Sequence, residues 1–128
     1  MKKWCIILFT FLSITAWAGE ELLEISPYVH GVWKCIGYSK DKGKTVVEGN
    51  NQAYCRVSSN SVLMASGDTI TVKSVLLSEE DSVQYVTIIF NELDSAWIIS
   101  VIRPKVIMVQ IVNITEEKET ARLIFSVQ

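Results

Sequence analysis

The sequence predicts an all-β protein, a small antiparallel β-barrel of about eight strands. Strand-length apolar runs, the polar turns between them and the lack of a long helical segment lead to this prediction. From Pro27 onward, apolar and β-branched runs of strand length recur, and polar turn clusters separate them. No segment with helical periodicity is long enough to cover a sheet. Strands without a covering helix bury their apolar faces against one another, and closure of the sheet into a barrel removes its exposed edges.

Residues 1–18 have the three parts of a secretory signal peptide. Two lysines open the segment, an apolar run spans residues 4–14, and Ala16 and Ala18 place small side chains before a cleavage site. The run is shorter than the about 20 residues that a membrane-spanning helix needs, so we expect no stable membrane anchor. We expect cleavage after Ala18 and a single domain of residues 19–128 in an oxidising space outside the cytoplasm. A short signal that begins with lysines is typical of the bacterial periplasm.

The elements of the domain follow in chain order. Acidic residues near its start favour a short helical turn over residues 20–25, and Pro27 is expected to end that turn. A weak additional strand is predicted at 44–48. The eight main strands are predicted at residues 29–39, 53–57, 61–65, 69–77, 83–90, 96–102, 105–114 and 120–127.

The cysteines that remain after cleavage of the signal form an even pair. Cys5 leaves with the signal, and Cys35 and Cys55 stay in the domain. In an oxidising space this pair predicts a disulfide, which stabilises the fold by roughly 3 kcal/mol for a loop of about 20 residues. If Cys35 faces Cys55 across a long hairpin, side-chain alternation puts both cysteines on the side of Trp33, which we expect to be the barrel interior. The absence of a Cys-x-x-Cys pair argues against a redox or metal role.

Charge excludes one class of partner. The formal net charge is −2, and the few lysines between strands are interrupted by an aspartate. Nucleic-acid binding needs clustered lysine and arginine side chains that replace phosphate counterions. We therefore expect no nucleic-acid partner.

The residues that common enzymes and metal sites require are missing. There is no Gly-x-Ser-x-Gly segment, and His30 is the single histidine available as a base. One histidine and two oxidised cysteines cannot supply a zinc site. The acidic clusters at 79–81 and 116–119 lack the alternating acids and the glycine of a calcium loop. We expect no catalytic residues, no metal and no cofactor, and therefore a protein that is not an enzyme.

The C-terminal strands are apolar on both faces, although an antiparallel sheet with one wet face normally alternates. Three explanations remain open: a protein partner or self-association on the outer face, cover by the N-terminal segment and loops, or an error in the strand limits. Aromatic side chains often anchor binding surfaces. Tyr85, Phe90 and Trp97 lie in these strands and are the candidates for ligand or partner binding.

The segment Gly31-Val32-Trp33 opens the first long strand after a short helical turn, and this resembles the start of the lipocalin and calycin barrels. In that family the tryptophan closes one end of the barrel, and an arginine of the last strand packs over its ring. The resemblance implies that Trp33 and Arg122 form this contact, and that a small apolar ligand binds in the barrel mouth.

A second resemblance is to the small periplasmic lysozyme inhibitors, which are β-barrels of about this length with a disulfide. It implies a protein-binding module, of inhibitor or immunity type, whose partner is another secreted protein. A small barrel often fills its interior with its own side chains, which favours this alternative. An open pocket of a few hundred cubic ångströms favours the small-ligand hypothesis, whereas a filled core favours protein binding.

Overall fold

Ten strands and one 3₁₀ turn make up the part of the chain that the computed structural model describes, residues 20–128. The predicted signal peptide lies outside these described residues. The elements are β1 (Glu20–Leu22), the 3₁₀ turn (Pro27–Val29), β2 (Gly31–Ser39), β3 (Val47–Glu48), β4 (Ala53–Val57), β5 (Ser61–Met64), β6 (Thr69–Glu80), β7 (Val83–Phe90), β8 (Ser95–Arg103), β9 (Val106–Asn113) and β10 (Lys118–Val127).

Eight of these strands close into an antiparallel barrel. Their order around the wall is β6-β5-β4-β2-β10-β9-β8-β7, and β7 pairs back with β6. The two short strands add to edges of the wall, β1 to β6 and β3 to β2. The prediction of an all-β, eight-stranded antiparallel barrel is confirmed. A barrel of eight strands has an interior just wide enough for side chains to fill.

The N-terminal helical turn was predicted in the wrong place. Glu20–Leu22 is a strand, because the edge of β6 offers it a ladder of backbone partners at Val75, Leu76 and Leu77. Pro27 begins the only helical turn of the described chain instead of ending one. A proline fits the first position of a helical turn, where its missing N–H needs no partner, and the Ser26 hydroxyl caps the turn by accepting the Tyr28 N–H.

Aromatic side chains fill the middle of the barrel. Trp33 is fully buried, and its ring centre lies 6.0 Å from that of Trp97 and 5.2 Å from that of Phe125. Phe90 meets Trp97 edge to face at 4.8 Å. Such tilted and edge-on pairs are the favoured aromatic geometries. The four rings of Trp33, Phe90, Trp97 and Phe125 thus pack against one another inside the barrel.

A β-bulge in β2 changes which side chains point inward. Ile36 is the extra residue in the pairing with β10, between Cys35 and Gly37. Beyond this bulge, Tyr38 lies directly opposite Leu123, whose side chain packs against the core. Paired residues of an antiparallel sheet share a face. Tyr38 therefore faces the interior, where simple alternation from Trp33 would have placed it outside.

A second bulge lies in β4. Trp33 is paired with Cys55, and the next pair skips one residue of β4, so Tyr54 is the extra residue. The Tyr54 ring lies 5.0 Å from that of Phe125 and 6.4 Å from that of Trp97. The bulge thus aims two consecutive side chains, those of Tyr54 and Cys55, into the barrel.

The C-terminal strands are apolar on both faces in the structure as well. In β8, Trp97 and Ile99 belong to the interior core, while Ile98 packs outside with Val112 and Tyr85. The strand limits agree with the predicted ones to within about three residues, so an error in those limits does not explain the pattern. No strand or helix of residues 20–128 forms a second layer over this outer face.

Candidate functional site

A pocket of about 420 Å³ lies where β2 and β4 separate beyond their bulges. Its interior wall includes three side chains that the bulged strands aim inward, those of Cys35, Tyr38 and Tyr54. The connection from β3 to β4 forms its rim. The complete lining consists of Cys35, Tyr38, Glu48, Gly49, Asn50, Gln52, Ala53 and Tyr54.

The rim is tied to β2 through backbone hydrogen bonds. The Gly49 N–H donates to the Ile36 carbonyl at 3.1 Å, and the Asn51 N–H donates to the Cys35 carbonyl at 2.9 Å. The Cys35 N–H in turn donates to the Gln52 carbonyl at 3.2 Å. Gly49 is required here, because a Cβ atom at this position would collide with the Cys35 carbonyl oxygen. These contacts preorganise the rim next to the pocket.

The lining combines an apolar wall with a polar rim. The two tyrosine rings, the Cys35 thiol and Ala53 offer apolar contact, and Glu48, Asn50 and Gln52 offer polar atoms. Burial raises the pKa of Tyr54, so its hydroxyl is neutral at physiological pH and is able both to donate and to accept a hydrogen bond. This chemistry fits a ligand with an apolar body and a polar end.

The predicted disulfide is absent from the structure, where Cys35 and Cys55 are free thiols. The two cysteines do not face each other as the predicted disulfide required, because the register of β2 on β4 places Cys55 opposite Trp33, and the Cys35 N–H donates to the Gln52 carbonyl. Both cysteines do lie on the interior side, as predicted. Cys55 is buried, and burial raises its pKa to about 12. Cys35 is half-buried and lines the pocket.

The two cysteines should therefore differ in their reactivity toward a thiol reagent. In native protein at pH 8, we expect Cys35 to react with N-ethylmaleimide and Cys55 to stay unmodified, because roughly one Cys55 thiol in ten thousand is ionised. In denaturant both should react. Peptide mass spectrometry after timed labelling measures this. Equal labelling of the two native thiols, or no thiol in denatured protein, would contradict it.

The implied contact between Trp33 and Arg122 does not form. Trp33 is buried, as expected, and its Nε1–H donates to the Val29 carbonyl at 2.8 Å. Arg122, however, lies opposite Ser39, at the far end of β2 and about 20 Å from Trp33 along the strand. There its guanidinium donates to the buried Glu119 carboxylate at 2.6 Å. The register of β10 on β2 thus places Val127, and not Arg122, opposite Trp33.

The three aromatic candidates lie outside the pocket lining. Phe90 and Trp97 are buried in the interior aromatic cluster, and neither is on a surface. Tyr85 is half-buried on the outer wall, against Ile98 and Val112. Trp97 contacts the ring of Tyr54, which does line the pocket.

The sequence reasoning missed Tyr38, Tyr54 and Glu48. One signal was present, because the polar run Gly49-Asn50-Asn51-Gln52 interrupts the long stretch between the two cysteines. Binding residues often lie on such connections between rigid strands. The inward aim of Tyr38 and Tyr54 had no local signal, since it depends on the bulges.

The single histidine has a structural partner. His30 is half-buried, and its Nε2 donates to the Ile25 carbonyl at 2.8 Å. Across residues 20–128, no three His, Cys, Asp or Glu side chains are grouped so as to hold a metal ion. Within the same range, no helix is long and apolar enough to cross a membrane.

Comparisons of the chain with protein-family models, with curated proteins and with solved structures found no match. The chemistry of this pocket, with its apolar wall and its preorganised polar rim, is therefore the feature of the protein that indicates a function.

Proposed function

We propose that the chain is a secreted, non-catalytic binding protein that holds a small, largely apolar ligand in the mouth of its barrel. The observation that carries this proposal is the pocket of about 420 Å³ at Tyr38 and Tyr54. Ligand pockets are typically concave, mainly apolar and about 300–1,000 Å³ in volume, with a few polar groups that fix orientation. The ring of Tyr54 packs against Phe125, so the aromatic core forms the base of the pocket.

Two further observations support a calycin-like ligand-binding protein. The barrel is closed, antiparallel and eight-stranded, and Gly31-Val32-Trp33 opens its first long strand with the tryptophan buried. The arginine contact of that family is missing, so the resemblance concerns the barrel and its tryptophan. The proposed secretion rests on the signal-like sequence of residues 1–18.

Removal of one pocket ring tests the proposal. Naphthalen-1-ylmethanol, an apolar ring with one hydroxyl, is titrated into the protein by calorimetry. Tyr38→Ala should weaken its binding about tenfold, because one aromatic wall is lost. Tyr28→Ala makes the same chemical change at an exposed position on the 3₁₀ turn and should leave affinity unchanged. Thermal melts of both variants show whether they fold. Equal affinities in folded variants would contradict the pocket as the binding site.

A second candidate function is that of a protein-binding module, and one observation favours it. Val101 and Ile102 of β8 are about half exposed, and Val83 of β7 is also exposed. Since β7 and β8 are antiparallel, these three side chains lie at the same end of the two strands. Native mass spectrometry of protein purified from its own host distinguishes the candidates. A retained small molecule supports ligand binding. A secreted protein that co-purifies in stoichiometric amount with the native chain, but not with the Ile102→Ser variant, supports the protein-binding module.

A further inference from the structure

We propose that the chain associates with a second copy of itself through the end of the barrel that lies away from the pocket. The surface consists of two neighbouring turns and the strand ends that lead into them, residues 79–83 between β6 and β7 and residues 101–105 between β8 and β9. It is called the tip surface below. The inference goes beyond the proposed function, because no residue of the tip surface lines the pocket.

The tip surface lies on four neighbouring strands. β7 pairs with β6 on one side and with β8 on the other, and β8 pairs with β9. Val106, the first residue of β9, lies opposite Ser126 of β10, which lies opposite Lys34 near the start of β2. The pocket lies beyond the other end of β2, at Tyr38. A second copy on the tip surface therefore does not cover the pocket.

The middle strands of this surface carry exposed apolar side chains. Val83 at the start of β7 is 41% exposed, and Val101 and Ile102 near the end of β8 are 48% and 49% exposed. Ile102 is the extra residue of a bulge in the pairing of β8 with β9. Removal of apolar side chains from water is favourable, and exposed apolar groups that lie together with a polar surround are typical of interaction sites.

Charged side chains of opposite sign flank the apolar ones. Glu79 and Asp81 are exposed on the side of β6, and Arg103 and Lys105 are exposed on the side of β9. The order across the four strands is therefore acidic, apolar and basic. A two-fold axis between β7 and β8, perpendicular to this order, places the acidic side of one copy against the basic side of the other. The same axis places the apolar middle against itself, so the tip surface is complementary to a second copy.

The charges favour this partner over an anionic membrane. Arg103 and Lys105 beside apolar side chains would suit anionic lipids. Glu79 and Asp81, however, lie on the neighbouring hairpin and would repel lipid phosphates. In a symmetric dimer the acidic and the basic side chains both meet charges of opposite sign, which fixes the orientation of the two copies.

The size of the surface predicts a weak dimer. Three half-exposed apolar side chains provide much less area than the roughly 1,000 Å² that a stable interface buries. Exposed ion pairs add little affinity, and salt screens them. We therefore expect a reversible monomer–dimer equilibrium at micromolar to millimolar concentration, which shifts toward monomer as salt rises.

Sedimentation velocity of the purified chain, over this concentration range and at low and high salt, measures the equilibrium. Ile102→Ser should weaken dimerisation about tenfold or more, because each symmetric dimer loses two of these side chains. Leu63→Ser is the matched control. Leu63 of β5 is 46% exposed, and its replacement should leave dimerisation unchanged. Thermal melts show whether both variants fold.

Charge reversal tests the orientation of the two copies. Arg103→Glu/Lys105→Glu makes both sides of the tip surface acidic, and Glu79→Lys/Asp81→Lys adds positive charge to the acidic side. Neither double variant should dimerise by itself, whereas an equimolar mixture should form a heterodimer. Lysine fits the backbone at position 81, because Lys105 has a φ of +65° and Asp81 a φ of +54°.

Three results would overturn the proposal: a chain that stays monomeric up to millimolar concentration, a dimer that Ile102→Ser leaves intact, and a mixture of the two charge-reversed variants that stays monomeric. Co-sedimentation of the monomer with phosphatidylglycerol vesicles, lost in Ile102→Ser, would assign the tip surface to a membrane and would also overturn the second copy. Titration of the dimer with naphthalen-1-ylmethanol keeps the two proposals apart, because the pocket is expected to bind equally in dimeric protein and in monomeric Ile102→Ser.

Discussion

Replacement of Trp33 by alanine should lower the free energy of unfolding by about 3–5 kcal/mol, the largest effect that we expect from a single substitution. Trp33 is fully buried and contacts the rings of Trp97 and Phe125. The change removes this apolar contact, leaves a cavity that a closed wall cannot collapse to fill, and deprives the Val29 carbonyl of its indole donor. Chemical denaturation followed by circular dichroism measures the loss.

Two control variants show whether the loss of stability comes from the buried aromatic ring. Trp33→Phe keeps an aromatic ring in the cluster and should retain much of the stability, although the hydrogen bond to Val29 is lost. Leu63→Ala removes an apolar side chain that is nearly half exposed, and its effect should be well below that of Trp33→Ala. An unfolding free energy that Trp33→Ala leaves unchanged would contradict the position of this ring in the core.

Gly31→Ala should destabilise the protein by roughly 2–4 kcal/mol, through two separate penalties. The φ angle of Gly31 is +122°, in a region that side chains disfavour. In addition, an added Cβ atom would collide with the carbonyl oxygen of Gln128, which comes next to β2 because the Gln128 N–H donates to Val32 at 2.8 Å. Backbone atoms on both sides make this collision hard to relieve.

Gly67→Ala separates the two penalties. Gly67 has a similarly positive φ of +100°, but no atom would lie within 4 Å of its added Cβ. Its substitution should therefore carry the cost of the backbone conformation alone and be milder than Gly31→Ala. Removal of Gln128 should bring the Gly31→Ala penalty closer to that of Gly67→Ala. If the two alanine variants lose equal stability in the full chain, the close approach at Gly31 contributes nothing.

The amino-acid sequence alone determined the fold class and nearly all of the strands. Alternation of apolar side chains and the polar turn clusters are local features, and they predicted β4 and β7 to the residue. The burial of Trp33 and the inward side of both cysteines also followed from local alternation. The position of the helical turn did not, because a backbone ladder along β6 competed for residues 20–22.

The candidate site was decided by the tertiary structure. One extra residue in β2, Ile36, turns Tyr38 inward, and one extra residue in β4, Tyr54, is aimed into the barrel beside Cys55. A bulge forms where two strands that are distant in sequence have to match in register and curvature, so alternation within either strand does not predict it. Without the bulges, a period of two would have placed Tyr38 outside the barrel and Tyr54 on the face opposite to Cys55.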